Sequence, residues 1–156
     1  MAEITFLRPT AAHVDELAQR MRRADVAELH ALGEINVNEV VAAGVRDSVH
    51  SWACAVDGRL LFLAGVAPLR AHLLCENIGV PWLLGTDEMT RHARKLIRLQ
   101  APYIALMLKT FPRLVNLVHA DNAQSVRWIK SLGFDLQAAR PHGPFGAPFR
   151  VFTMGV

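Results

Sequence analysis

Cysteine is scarce in this sequence: there are two, Cys54 and Cys75, among 156 residues, and they form no C-x-x-C pair. A disulfide framework and a cysteine-rich metal knot are therefore excluded. Both thiols are expected to be reduced, in the core of a cytoplasmic protein. Tyrosine occurs once, at Tyr103. No run approaches ~18 uncharged apolar residues, so no membrane-spanning helix is expected. The opening Met-Ala-Glu-Ile-Thr-Phe-Leu-Arg-Pro has no basic leader followed by an apolar run, so no secretory signal is expected either. Positive charge is in small excess only, with net charge +3 and pI ≈ 9.3. That falls well short of a basic tail and suits a phosphate-bearing small molecule or weak contact with nucleic acid. No linker, repeat or low-complexity segment stands out.

What the chain does have is apolar content, 52% against 20% charged residues, the balance of a globular protein. Its length fits one domain, residues 1–156, that buries roughly 70% of its unfolded surface and needs no disulfide or metal staple. The apolar share is slightly high for that size. With the run Tyr103 to Phe111 it points to self-association, most simply as a homodimer.

Residues 3–8 alternate as a strand and stop at Pro9. Thr10 is a good N-cap for a helix marked by Val14, Leu17, Ala18 and Met21. Residues 24–32 continue helically to Gly33, and Asn38 can cap a short helix from Glu39 to Arg46. Residues 50–56 and Leu60–Ala67 read as strands joined by the two-residue turn Asp57-Gly58. Pro81–Gly85 suits a short buried strand. A long helix follows from about Glu88 to Thr110, with Pro102 expected to kink or split it. Leu114–His119 is another strand, and Asp121 or Asn122 caps the next helix, which ends at Leu132-Gly133. A last hairpin has arms near 134–139 and 149–154, joined by the loop Pro141–Pro148. This order implies an α/β (α+β) domain, one mixed central sheet of six to seven strands flanked by about four helices.

Three segments carry a resemblance to a known family. They are the opening Ile4 to Thr10 with Asp15 and Leu17, the middle strand with its long helix, and Val118 to Phe134. In the last, Asn122, Ser125, the pair Trp128-Ile129 and Gly133-Phe134 fall at the pattern's spacing. On these residues the chain resembles the GNAT acetyltransferase superfamily. Met21 to Asp25 with Glu28, Trp82 to Thr86, Asn116 to Phe134 and Gly143 to Phe152 further resemble acetyltransferase-like proteins of podovirus-type tailed phages. That group includes an internal virion or head-assembly protein.

The resemblance implies a GNAT fold and acetyl-CoA as cofactor. The cofactor would lie against Leu83, Leu84, Gly85, Arg91, His92, Ala93, Arg94, Asn122 and Ser125. The chain departs from the pattern twice. The glycines whose backbone N–H groups would cradle the pyrophosphate are replaced across Met89 to Arg94, and the tyrosine that protonates the leaving thiolate is Ile129. Arg91, Arg94, Lys95 and Arg98 fall at i, i+3, i+4 and i+7 of a helix, where side-chain cations could replace part of the cradle; such a row is equally a solvated face. Tyr103 and the three tryptophans, Trp52, Trp82 and Trp128, read as core. Asp25, Glu28 and His119 are the candidates for a general base, each also readable as a cap, a surface carboxylate or a half-buried histidine. His72, His92 and His142 show no metal-ligand spacing, so no metal is expected.

Two functions compete. One is an N-acetyltransferase acting on an amine of a protein or small molecule. The other is a non-enzymatic phage protein that keeps the fold for virion assembly or for contact with a phage or host partner in the host cytoplasm. Nucleic-acid binding through the arginine row is weaker, because no exposed aromatics interleave it. No membrane partner is expected.

Overall fold

The computed structural model describes residues 3–70 and 77–156; Cys75 and His72, singled out above, lie outside the described residues. The chain runs β1 (Ile4–Leu7), α1 (Ala11–Arg20), α2 (Arg23–Ala31), α3 (Val37–Asp47), β2 (His50–Val56), β3 (Arg59–Pro68) and β4 (Ile78–Gly85). A 3-10 helix (Asp87–His92) leads into α4 (Ala93–Thr110). Then come β5 (Arg113–His119), α5 (Ala123–Ser131), β6 (Asp135–Leu136), β7 (Arg140–His142) and β8 (Ala147–Gly155). The strands lie in the order β1-β2-β3-β4-β5-β8-β6, with β7 paired to β8. Only β4 and β5 pair in parallel; the other pairs are antiparallel. The mixed sheet is as expected, with eight strands and five α-helices among the described residues.

Most local signals do what their chemistry requires. Thr10 Oγ1 accepts from His13 N (3.3 Å) while Thr10 N donates to His13 Nδ1 (3.0 Å), a reciprocal cap. Asp57 (φ 48) and Gly58 (φ 80) make the tight β2–β3 turn.

Four expectations need correcting. The cap of α3 is Asn36, whose Oδ1 accepts from Glu39 N (3.1 Å), so the helix starts earlier than a cap at Asn38 allows. Pro141–Pro148 is not one loop: residues 140–142 pair with 147–149, which leaves a short turn around Gly143 and Gly146. Pro102 lies inside an unbroken α4. The long helix also starts later than Glu88, because residues 87–92 form 3-10 turns. At three residues per turn, Arg91 leaves the row of Arg94, Lys95 and Arg98 on α4.

Two layers of helix cover the sheet. On one face α1, α2 and α3 bury Val14, Leu17, Leu29 and Val41 against Ala53, Leu63 and Leu84. On the other, Leu96 and Met107 of α4 and Trp128 of α5 cover Cys54, Phe62, Ala64 and Leu114. Full burial of a leucine such as Leu17 or Leu63 stabilises by about 2 kcal/mol. Cys54 is fully buried, and desolvation pushes its thiol up to about 12, so it is an inert core residue.

Candidate active site

The site begins with a proline. β4 pairs with β5 only at Ile78↔Arg113 and Gly79↔Leu114, and beyond that the strands part. Pro81 sits where the parting starts. Its carbonyl faces the gap and accepts from Asn116 Nδ2 (2.7 Å), and it has no N–H to offer a neighbouring strand. By strand alternation the backbones of Leu83 and Gly85 face the same side as Pro81. A cavity of about 250 Å³ fills the gap. Its walls come from both faces of the sheet: Leu29, Val40 and Trp82 on the α2–α3 side, Trp128, Ile129 and Phe152 on the α4–α5 side. The cavity is thus a channel through the sheet.

A buried polar cluster closes the wide end of the gap. The break between α1 and α2 creates it: Met21 bridges to Thr86, and Arg22 N donates to Gly85 O (2.9 Å). This drives the Arg22 side chain inward, where it is 5% exposed. Its Nη1 donates to Asp25 Oδ1 (3.1 Å) and its Nη2 to Gln124 Oε1 (3.0 Å) and Asn122 Oδ1 (3.4 Å). Asp25 also accepts from Gly85 N (2.9 Å) and Asn122 Nδ2 (3.3 Å). Burial pushes the Asp25 carboxyl up against the opposing pull of Arg22 and these donors. Asn122 thus has two duties, since its Oδ1 also caps α5 by accepting from Ser125 N (3.4 Å).

Glu28 lies one turn further along α2 and lines the channel. Its Oε1 accepts from His119 N (2.6 Å) at the end of β5. Burial raises its carboxyl from an ordinary 4.5 to about 7, outweighing the His119 N–H and adding to the repulsion from Asp25. A carboxyl in that range can take up a proton near neutral pH. The His119 ring turns elsewhere, tilted against Phe149 (5.2 Å) and 3.9 Å from Asp121.

Of the residues expected at the site, Glu28, Leu83, Leu84 and Ser125 line the channel, while Asp25, Gly85 and Asn122 belong to the polar cluster behind it. His119 contributes its backbone. Ala93 packs beneath the start of α4, His92 is half-buried beside it, and Arg91 and Arg94 are exposed on the outer rim. Sequence reasoning missed Arg22, Asn116, Gln100 and Gln124. Asn116 and Gln100 left a signal as lone polar residues on otherwise apolar stretches. Gln100 accepts from Trp128 Nε1 (3.1 Å), which ties α4 to α5. Trp52, Trp82 and Tyr103 are half-buried channel walls rather than closed core, and Tyr103 stacks on Phe6 at 4.4 Å.

The channel is lined mainly by apolar side chains and edged by the Leu83 backbone of β4, a lining that fits the pantetheine arm of acetyl-CoA. The phosphate end is built differently from a glycine cradle. A Cβ on Gly85 would stand 2.8 Å from Met89 Sδ, because the buried Met89 fills the inside of the 3-10 turn. The exposed cations beside that turn are Arg91, Arg94 and Lys95.

No protein-family model matches the chain, and no curated protein matches it. Solved structures match it over most of their length. A ribosomal-protein-alanine N-acetyltransferase from Brucella melitensis has a TM-score of 0.72 at 16% identity, over 97% of this chain and 99% of that one. yncA from Salmonella typhimurium, with its cofactor acetyl-CoA, has a TM-score of 0.70 at 14% identity, over 97% and 93%. A GNAT-family acetyltransferase from Streptococcus pneumoniae has a TM-score of 0.65 at 9% identity, over 99% of both chains. At such identities the likeness is one of fold: this chain has the α/β fold of the GNAT acetyltransferases.

Proposed function

We propose that the protein is an acetyl-CoA-dependent N-acetyltransferase acting on an amine. The observation that carries this reading is the channel between β4 and β5 with Glu28 at its α2 end. When bound, acetyl-CoA supplies an acetyl group activated as a thioester. Leu83 and Asn116 hold the arm along the channel, and Arg91, Arg94 and Lys95 meet its phosphates. Glu28 takes the amine's proton through the carboxyl oxygen that His119 N–H leaves free. Ile129 offers no proton, but Ser125 lies one turn earlier on the same face of α5, with its Oγ 3.5 Å from Arg22 Nη1. That hydroxyl, accepting from the buried guanidinium, donates a hydrogen bond to the leaving thiolate, which then takes up a proton from solvent.

The test follows free thiol after acetyl-CoA and an amine are mixed with the protein. The rate should rise with pH through about 7 and fall on the order of 10²–10⁴-fold in Glu28→Gln. An unchanged rate and pH profile in that variant would remove Glu28 from the chemistry.

One observation favours a second reading. The 3-10 turn packed by Met89 takes the place of a phosphate cradle, as in a fold kept for phage assembly or host contact after cofactor binding is lost. The resemblance to tailed-phage proteins supports that setting. It entails no thiol release with any amine.

A further inference from the structure

Resting on the acetyl-transfer reading, we propose that the acceptor is a small amine bearing a single positive charge on an alkyl or aryl body. The charge count at the channel mouth carries this inference. Glu28 is the carboxylate that lines the channel. Asp25 lies behind it, 2% exposed, and its oxygens are taken by Arg22, Gly85 N and Asn122. Arg22 is likewise spent on Asp25, Asn122 and Gln124. Among the described residues that line the channel, a second ammonium on the acceptor would find no further carboxylate, and an acceptor carboxylate would find the lining Arg22 already held by Asp25, Asn122 and Gln124. Either would be desolvated without a partner. Polyamines and free amino acids are therefore disfavoured.

The walls fit the rest of such a molecule. Leu29, Leu32 and Val40 are apolar, and Trp82 supplies a rigid aromatic surface. Two glycines make room for that ring: a Cβ on Gly44 of α3 would lie 3.3 Å from Trp82 Cζ2, and one on Gly65 of β3 would lie 2.9 Å from its Nε1. Trp82 Nε1 donates to Ser48 Oγ (2.8 Å), so the ring is fixed with its polar atom satisfied and turned away from any substrate. Trp82 and Glu28 both line the channel, an aromatic ring and a carboxylate, a combination that suits an ammonium on an apolar stem. A polypeptide would bring backbone amides against Leu29, Leu32 and Val40, whose side chains offer them no hydrogen bonds.

The test is calorimetric titration of the protein at pH 8 with phenethylamine, ethanolamine, spermidine and an alanine-led octapeptide, with acetyl-CoA titrated separately. Phenethylamine should bind at least about tenfold more tightly than the other three and lose about tenfold or more in Glu28→Gln. Val40→Asp, which adds a second carboxylate to the half-buried wall, should shift preference toward spermidine. Trp82→Leu keeps apolar bulk and should weaken phenethylamine more than hexylamine. Equal binding of phenethylamine and spermidine, or tighter binding of the peptide, would overturn the inference. Acetyl-CoA binding with no uptake of phenethylamine would overturn it while leaving the transfer reading in place. Phenethylamine binding without acetyl-CoA binding would support the amine class and count against transfer.

Discussion

At the scale of single residues, Glu28 ties chemistry to stability. Its carboxyl titrates at about 7 in the fold against an ordinary 4.5. Between those values the folded protein holds a proton that the unfolded chain has released. Stability therefore falls as pH rises from about 4.5 to about 7 and stays lower above that. The full difference is on the order of 3 kcal/mol. Glutamine can keep the acceptor for His119 N without the charge. Glu28→Gln should therefore be more stable than the natural protein at pH 8, by about 1–3 kcal/mol, with no gain near pH 4. Thermal unfolding at the two pH values checks this; a shift that is the same at both would mean that the charge is not the cause. The same variant should lose activity, which makes the burial of Glu28 a stability cost retained for function.

At the scale of elements, α4 carries a defect that can be repaired. Pro102 is exposed on an 18-residue helix and leaves the Arg98 carbonyl without its i→i+4 partner. Pro102→Ala should stabilise by about 1–2 kcal/mol and raise Tm by roughly 2–8 °C, net of the entropy alanine adds to the unfolded chain. A lower Tm would mean that Pro102 helps to position Gln100 or Met107 in the channel wall. The elements were legible where local chemistry fixes them. Thr10, the Asp57-Gly58 turn, strand 50–56 and the Asn122 cap each follow from side-chain groups within a few residues. What lay hidden depends on partners distant in sequence. No local pattern separates an α-helical start from the 3-10 turns at Asp87–His92, because the buried Met89 against Gly85 decides it. Arg22 looked like one more surface cation beside Arg23. Its inward turn depends on Gly85, Gln124 and Asn122, all far along the chain. Glu28 was legible as a candidate, but its raised titration depends on packing against β5.

At the scale of the whole molecule, the high apolar share is used largely inside. Met107 and Phe111 are buried, and Tyr103 and Ile104 are half-buried channel walls, which leaves Leu106, 38% exposed, as the large apolar residue on the outer side of that run. The sheet is split so that a channel of about 250 Å³ passes from the α4–α5 face to the α2–α3 face. Glu28 lines it from α2, and the exposed cations Arg91, Arg94 and Lys95 lie at the start of α4. Titration calorimetry with acetyl-CoA, at low and at moderate salt, tests most directly whether that channel is a cofactor seat. Saturable binding in the micromolar to millimolar range is expected, weakened by salt and by about tenfold or more in the Arg91→Ala, Arg94→Ala double variant. No heat of binding at millimolar acetyl-CoA would contradict it.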